Sequence, residues 1–269
     1  MNDKLLKEIT EDELKKIQLD ILDYVDNFCQ KHNIMYSLAC GTLLGAIRHK
    51  GYIPWDDDID IQMLRPDYDK FIILFKKEQH NRFYIQTKYD NVDIPYAKIS
   101  TNDTLLIEEH SHNITGVNID LFPIDGVKDL NDFNRRHRKV LKLYQWYSVK
   151  NFEYSRCPSF LSKIKLAAKK FFLSGMSNTD IQTKIEEIAQ KYSIEECNYL
   201  FEMVAGRIYK KPFPRKAFTN TVKTLFEKKE YHILNDYDEY LKACYEDYMK
   251  LPPKEKQVSH HNFKAYWKL

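Results

Sequence analysis

Four aspartates fall within five positions of GYIPWDDDIDI, residues 51–61: Asp56, Asp57, Asp58 and Asp60. Carboxylates this close repel one another, so a fold that keeps them must supply water, positive charge or a cation. Ile59 and Ile61 interleave with Asp58 and Asp60, and DIDIQM (58–63) alternates polar and apolar residues. That period of two predicts a strand with one buried face, on which Asp58 and Asp60 point together, away from the isoleucines. Three readings compete: a solvated acidic turn, a calcium loop, or half of a metal site. The calcium loop fails on its letters. Ile61 stands where its sharp turn needs glycine, and Asp67 where it needs a bidentate glutamate. The acidic turn sits badly with two isoleucines patterned as a strand. Paired carboxylates on one face suit magnesium, which takes hard oxygen ligands and leaves room for substrate phosphates.

Just upstream, CGTLLGAIRHKG reads as a short helix opening directly after Gly41-Thr42. Glycine lets the backbone approach a ligand closely, and a helix N-terminus favours a phosphate. The stretch is neither a Walker loop nor a dinucleotide GxGxxG.

TEDELKKIQLDILDYVDNFCQKH predicts a helix, with a Thr10/Glu13 capping box and apolar residues at helical spacing. Pro66 opens the helix after DIDIQM. Short strands follow at 82–87, 96–100, 104–109 and 116–122, with Asp125 shaping a turn with Gly126. From about residue 129 the pattern is helical, over 129–150, 159–173 and 177–192. After a weak strand at 199–205, TNTVKTLFE and DYDEYLKACYEDYMK read as helices, ending at Leu251-Pro252-Pro253. The fold class is therefore α/β (α+β), with a mixed-sheet core and a mainly helical C-terminal part. The boundary is expected near residue 128, giving 1–127 as core and 128–269 as the helical region.

Gly41-Thr42 followed by DDDID resembles the nucleotidyltransferase fold. More specifically, GTLLGAIRHKGYIPWDDDIDIQMLRPDYDKF resembles the LicD family, and the likeness continues through YAKI, NIDLFPIDGV and DYDEYLKACYEDYMKLPP. It covers 36–127 and about 225–261. The resemblance implies a transferase that moves phosphocholine, or a similar phospho-alcohol, from CDP-choline or another CDP-alcohol to a sugar hydroxyl of a cell-surface glycan such as teichoic acid or lipopolysaccharide, releasing CMP. It implies Asp58, Asp60 and Asp120 as catalytic metal ligands for one or two Mg2+ ions, with Mn2+ as a substitute. Gly41, Thr42, Arg48, His49, Lys50 and Lys98 are implied as phosphate or nucleotide contacts. Asp56 and Asp57 would support the ligands from behind, and His260 and His261 are further candidates that in the plainer reading form a surface pair. Two positions depart from the family pattern: Glu246 where Tyr-Gly-Asp is expected, and Gln257 where an arginine is expected after PPxxK. A choline headgroup would need aromatic rings around its quaternary ammonium; Trp55, Trp146, Trp267 and the tyrosines are the material.

Charge bears on partners. From Lys128 to Lys170 there are twelve Lys/Arg against Asp129, Asp132 and Glu153, although the whole chain carries only +3. Such a block invites an anionic chain or a membrane surface, with Arg135, Arg136, Arg138 and Lys139 as candidates, or it is simply a pair of solvated helix faces. The acceptor is expected to be lipid-linked, and no nucleic-acid partner is expected. Five scattered cysteines suggest free thiols in a reducing compartment. The charged N-terminus does not read as a signal peptide, and the apolar runs are too short to span a bilayer. The expected location is cytoplasmic, peripheral at the inner face of the membrane. The competing functions are a nucleotidyltransferase acting on a small molecule or protein, and a non-catalytic glycan- or membrane-binding protein.

Overall fold

The computed structural model describes residues 6–90, 95–108, 115–206, 211–259 and 263–268. In chain order its first elements are β1 (Lys7–Glu8), α1 (Glu11–His32), β2 (Ser37–Leu38), α2 (Cys40–Arg48), β3 (Asp60–Leu64) and α3 (Arg65–Lys77). Then come β4 (Phe83–Gln86), β5 (Ala97–Thr101), β6 (Thr104–Glu108) and β7 (Asn118–Val127). Three helices follow: α4 (Leu130–Asn151), α5 (Phe160–Phe172) and α6 (Asn178–Ala189). The chain continues through β8 (Tyr199–Phe201), β9 (Phe213–Pro214), β10 (Thr221–Phe226), β11 (Lys229–Leu234), α7 (Tyr237–Tyr245) and β12 (Phe263–Trp267). This is a mixed α/β core with a largely helical region after it.

The capping box of α1 is formed, since the Glu13 amide donates to Thr10 Oγ1 and the Thr10 amide to Glu13 Oε2. Leu14, Ile17, Ile21, Val25 and Phe28 lie on its buried face, as their spacing requires. The main sheet runs β2-β3-β7-β5-β4, with β3 parallel to β7 and the other neighbours antiparallel. A larger apolar core surrounds it and takes residues from both sides of residue 127, including Phe218, Tyr231 and Tyr240. A smaller one gathers Phe133, Val140, Ile181, Ile185 and Phe201.

Strand β7 extends beyond the expected Phe122, through Pro123 to Val127. A proline inside a strand removes a ladder donor. The Asp120 amide donates to Ile59 O, so by alternation the amide position of residue 123 faces the other edge. On that edge β5 pairs as far as Leu121 and β8 starts at Asp125, so Pro123 falls at the changeover between partners. Asp125 is therefore a buried strand residue rather than a turn former. Arg65 donates two hydrogen bonds to its carboxylate, at 2.8 and 2.7 Å. Burial opposes the Arg65 charge, but Asp125 outweighs it and holds the guanidinium above its usual pKa.

TNTVKTLFE is also a strand rather than a helix: β10 forms an antiparallel hairpin with β11, pairing Val222 with Ile233 and Phe226 with Lys229. Its turn has no glycine or asparagine. Glu227 takes the left-handed φ of 57°, held by its amide donating to Lys50 O and its carboxylate accepting from the Tyr52 amide. These contacts lie far away in sequence, which is why local turn chemistry did not reveal the hairpin. None of the five cysteines forms a disulfide.

Candidate active site

Asp60 opens β3, and its backbone is tied to the start of α2 from both sides. Its amide donates to Thr42 Oγ1 at 2.8 Å, and its carbonyl accepts from the Ala39 amide at 2.9 Å. These two bonds couple the Gly-Thr turn to the aspartate strand. At the helix start, Cys40 has a φ of 48° and its amide donates to Tyr240 Oη at 3.2 Å. A Cβ on Gly41 would stand 2.4 Å from Asp56 Oδ2. Glycine thus lets the Asp56 carboxylate lie on the first turn of α2, where the helix dipole favours negative charge.

Across the sheet, Asp60 is in register with Asp120, and Asp120 with Lys98. Residues in register on neighbouring strands share a face about 4.8 Å apart, so the three side chains form a row. Lys98 Nζ donates to Asp120 Oδ1 at 2.6 Å and to Asn118 Oδ1 at 3.2 Å. On the opposite face Ile61, Leu121 and Ala97 are wholly buried. Before the strand, one carboxylate oxygen from each of Asp56, Asp57 and Asp58 lies within 4.8 Å of the others, a spacing compatible with a divalent cation.

A cavity of about 1000 Å³ opens over this row. Asp56, Asp58, Asp60 and Asp120 line it, together with Asp247 and Glu255 from the C-terminal segment, against the cations Arg48, Lys250 and Lys256. Six carboxylates against three cations would repel a nucleotide's diphosphate unless a cation is bound as well. Trp55, Tyr96, Phe122, Tyr245 and Tyr248 supply aromatic walls. Tyr248 Oη donates to Asp238 Oδ1; burial and that bond push its pKa up to about 12, so the phenol stays neutral.

The profile of the family described as "LicD/FKTN/FKRP, nucleotidyltransferase domain" matches residues 33–160. A protein of Haemophilus influenzae named lipopolysaccharide cholinephosphotransferase LicD is 32% identical over 274 residues, covering 97% of this chain and 99% of its own length. The chain belongs to the LicD family. Two uncharacterized proteins, from Rickettsia typhi and Rickettsia prowazekii, match over short stretches. They are 42% identical over 62 residues and 57% over 37, covering 20% and 14% of this chain and the same shares of their own lengths. The full-length likeness makes this LicD-family chain an enzyme of the transferase class.

The LicD-type motif residues divide in the structure. Gly41, Arg48, Asp56, Asp58, Asp60 and Asp120 meet at the cavity. Strand β3 starts at Asp60, so alternation along a strand does not align Asp58 with it as expected; the preceding loop carries Asp58 there instead. Helix α2 starts at Cys40 rather than after Thr42, which places Thr42 inside the first turn, buried, with its hydroxyl accepting from Asp60. Arg48 Nη1 donates to Tyr248 O at 2.8 Å, fastening the C-terminal wall to α2. Burial and the Arg48 charge lower the pKa of His49, whose ring meets Trp55 edge-on. Lys50 is an exposed turn residue with a φ of 62°, away from the cavity lining. Asp57 lines an adjoining cavity, and its Oδ2 accepts from Ser259 Oγ at 2.7 Å. His260 and His261 lie outside the described residues. Of the tryptophans, Trp55 lines the cavity and Trp146 a separate one.

Sequence reasoning missed Tyr96 and Phe122, whose rings are 4.5 Å apart. A signal was present, because they stand two residues from Lys98 and Asp120 and therefore share the face of the aspartate row. Asp247 and Glu255 had no such signal, since nothing local tells where a C-terminal segment folds back. The departures from the family pattern have structural counterparts. Glu246 ends α7 with a φ of 59°, a conformation that favours glycine, and Gln257 Nε2 donates to Pro252 O.

Proposed function

We propose that this enzyme moves phosphocholine, or a similar phospho-alcohol, from a CDP-alcohol to a hydroxyl of a cell-surface glycan, with release of CMP. The observation that carries the reading is the meeting, in one cavity, of the aspartate row with five aromatic rings. Carboxylates alone suit many metal-dependent reactions on phosphates. Rings beside them add a surface for a quaternary ammonium, which has no N–H to donate and is attracted to ring faces. The name borne by the Haemophilus relative points the same way.

Magnesium fits the donors, which are all hard carboxylate oxygen: Asp56, Asp57 and Asp58 have the spacing for a cation, and Asp60 and Asp120 line the same cavity as Asp58. Asp58, Asp60 and Asp120 would hold it, with Asp56 and Asp57 at their side. When bound, the cation would neutralise charge on the donor's pyrophosphate and on the departing CMP. Lys98 orients Asp120 through its 2.6 Å bond. Asp120 would complete the metal site or accept the proton of the attacking hydroxyl. That oxygen forms a bond to the phosphorus bearing the alcohol, the bond from this phosphorus to the CMP oxygen breaks, and CMP leaves with the electron pair. Arg48, Lys250 and Lys256 flank the cavity as partners for nucleotide or acceptor phosphate.

The test is incubation with CDP-choline, CDP-ethanolamine, CDP-glycerol and CDP-ribitol in magnesium, scoring CMP release with and without a glycan acceptor. Acceptor-dependent CMP release with an acceptor product that lacks ultraviolet absorbance supports the reading. Transfer of the nucleotide itself, seen as an ultraviolet-absorbing product, overturns it.

A further inference from the structure

Of the described side chains of α5, only Leu166 is buried. The large apolar residues face outward instead: Phe160 is 76% exposed, Leu161 70%, Ile164 50%, Phe171 77% and Phe172 86%. At about 100° of rotation per residue, these five lie within an arc of about 120° centred opposite Leu166. The same projection puts Lys163 and Lys170 on one border of the arc and Lys165 and Lys169 on the other. The helix, FLSKIKLAAKKFF, contains no acidic residue. An apolar cavity of about 1000 Å³, lined by Trp146, Phe172, Leu173 and Met176 among others, adjoins it. Soluble proteins rarely leave a contiguous apolar patch of this kind open to water.

We propose that α5 docks this enzyme on an anionic lipid bilayer, lying in the interface with its phenylalanines among the acyl chains and its lysines at the headgroups. The charge pattern selects this occupant. A second copy of the chain would bring together two helices whose charged residues are all lysines, whereas anionic headgroups neutralise both lysine borders while the acyl region takes the apolar arc. Among the described residues no helix is long and apolar enough to cross a membrane, so the contact is with the surface. The basic cluster on α4 exposes Arg135, Arg138 and Lys139 as well, but its fourth member does not reach solvent. Arg136 is buried, donating to Asp132 and to the carbonyls of Gly126, Ile188 and Ala189. Ala205 lines the aspartate cavity and Gly206 the apolar one, so a bilayer at α5 would bring lipid-held acceptors near the site. That consequence rests on the proposed reaction; the docking does not.

The experiment is co-sedimentation of the full chain with vesicles of phosphatidylglycerol and phosphatidylcholine, and with phosphatidylcholine alone. We expect binding to the anionic vesicles, a fall of about tenfold or more in F171S/F172S, and loss of the anionic preference in K163E/K165E. Thermal unfolding checks that the variants fold, and CMP release with a soluble acceptor should be unchanged in F171S/F172S. Loss of CMP release in the wild type with intact vesicle binding would strike the reaction and leave the docking standing. The docking is overturned if the wild type ignores anionic vesicles or F171S/F172S binds them equally well. It is likewise overturned if that variant abolishes a vesicle-independent dimer, which would assign the face to a second copy.

Discussion

Thr42→Val separates two roles for the hydroxyl in the Gly-Thr turn. The structure makes it a strut: it is buried and accepts the Asp60 amide at 2.8 Å. Valine keeps the shape but cannot accept, so the Asp60 amide loses a buried partner. Leaving a buried donor unsatisfied costs about 1–3 kcal/mol. For a chain of this size that lowers the melting temperature by roughly 2–12 °C. The amide that loses its partner belongs to the residue that opens the aspartate row, so kcat for CMP release should fall while KM for the CDP-alcohol stays within about twofold. Thr42→Ser, which restores the acceptor, should recover most of both losses. The assays are thermal unfolding by circular dichroism and steady-state CMP release. A Thr42→Val enzyme that melts like the wild type but shows a donor KM raised about tenfold or more would refute the strut and make the hydroxyl a phosphate contact.

Asp60→Asn removes one of two carboxylates facing each other in register with Asp120. It should raise the melting temperature in chelator, because like charges opposite one another destabilise a sheet by up to about 1 kcal/mol. It should also abolish the stabilisation by added magnesium and cut kcat on the order of 10²-fold or more; an unchanged magnesium response would remove Asp60 from the ligand set. Glu246→Gly relieves a φ of 59° at the end of α7 and should stabilise the protein by about 1 kcal/mol, read as a higher melting temperature. Burial lowers both histidine pKa values below the ordinary 6.5, aided by Arg48 for His49 and, for His232, outweighing the opposing Asp26 charge with help from Lys223. The unfolded chain then binds more protons below pH 6.5, so stability should hold above that value and fall as pH drops through it. His49→Asn/His232→Asn should flatten that slope in denaturant titrations between pH 7 and pH 5; an unchanged slope would assign it to other groups.

Much of the candidate site was legible because strand period and motif spacing are local. Ile59 and Ile61 marked the buried side, and Asp120 within VNIDLF marked a second strand with the same alternation. The three helices after residue 129 carried their own caps at Asp129, Ser159 and Ser177. Asp58 was misplaced because strand ends depend on the partner strand: β3 is paired only from Asp60 onward. Thr42 and Lys98, expected at phosphate, each also bond to an aspartate residue that spacing could not bring into view.

Residues near one another along the chain therefore determined the aspartate-bearing strand, the glycine that admits Asp56, and the amphipathic character of α5. Only the tertiary structure decided that Asp60, Asp120 and Lys98 stand in one row, that 248–258 closes the cavity with Asp238 and Arg48 as anchors, and that the apolar face of α5 is left open. The physical reason is range. Alternation and capping are satisfied within a few residues, whereas register between strands, and the choice of which helix face is covered, are settled by packing among segments up to about two hundred residues apart.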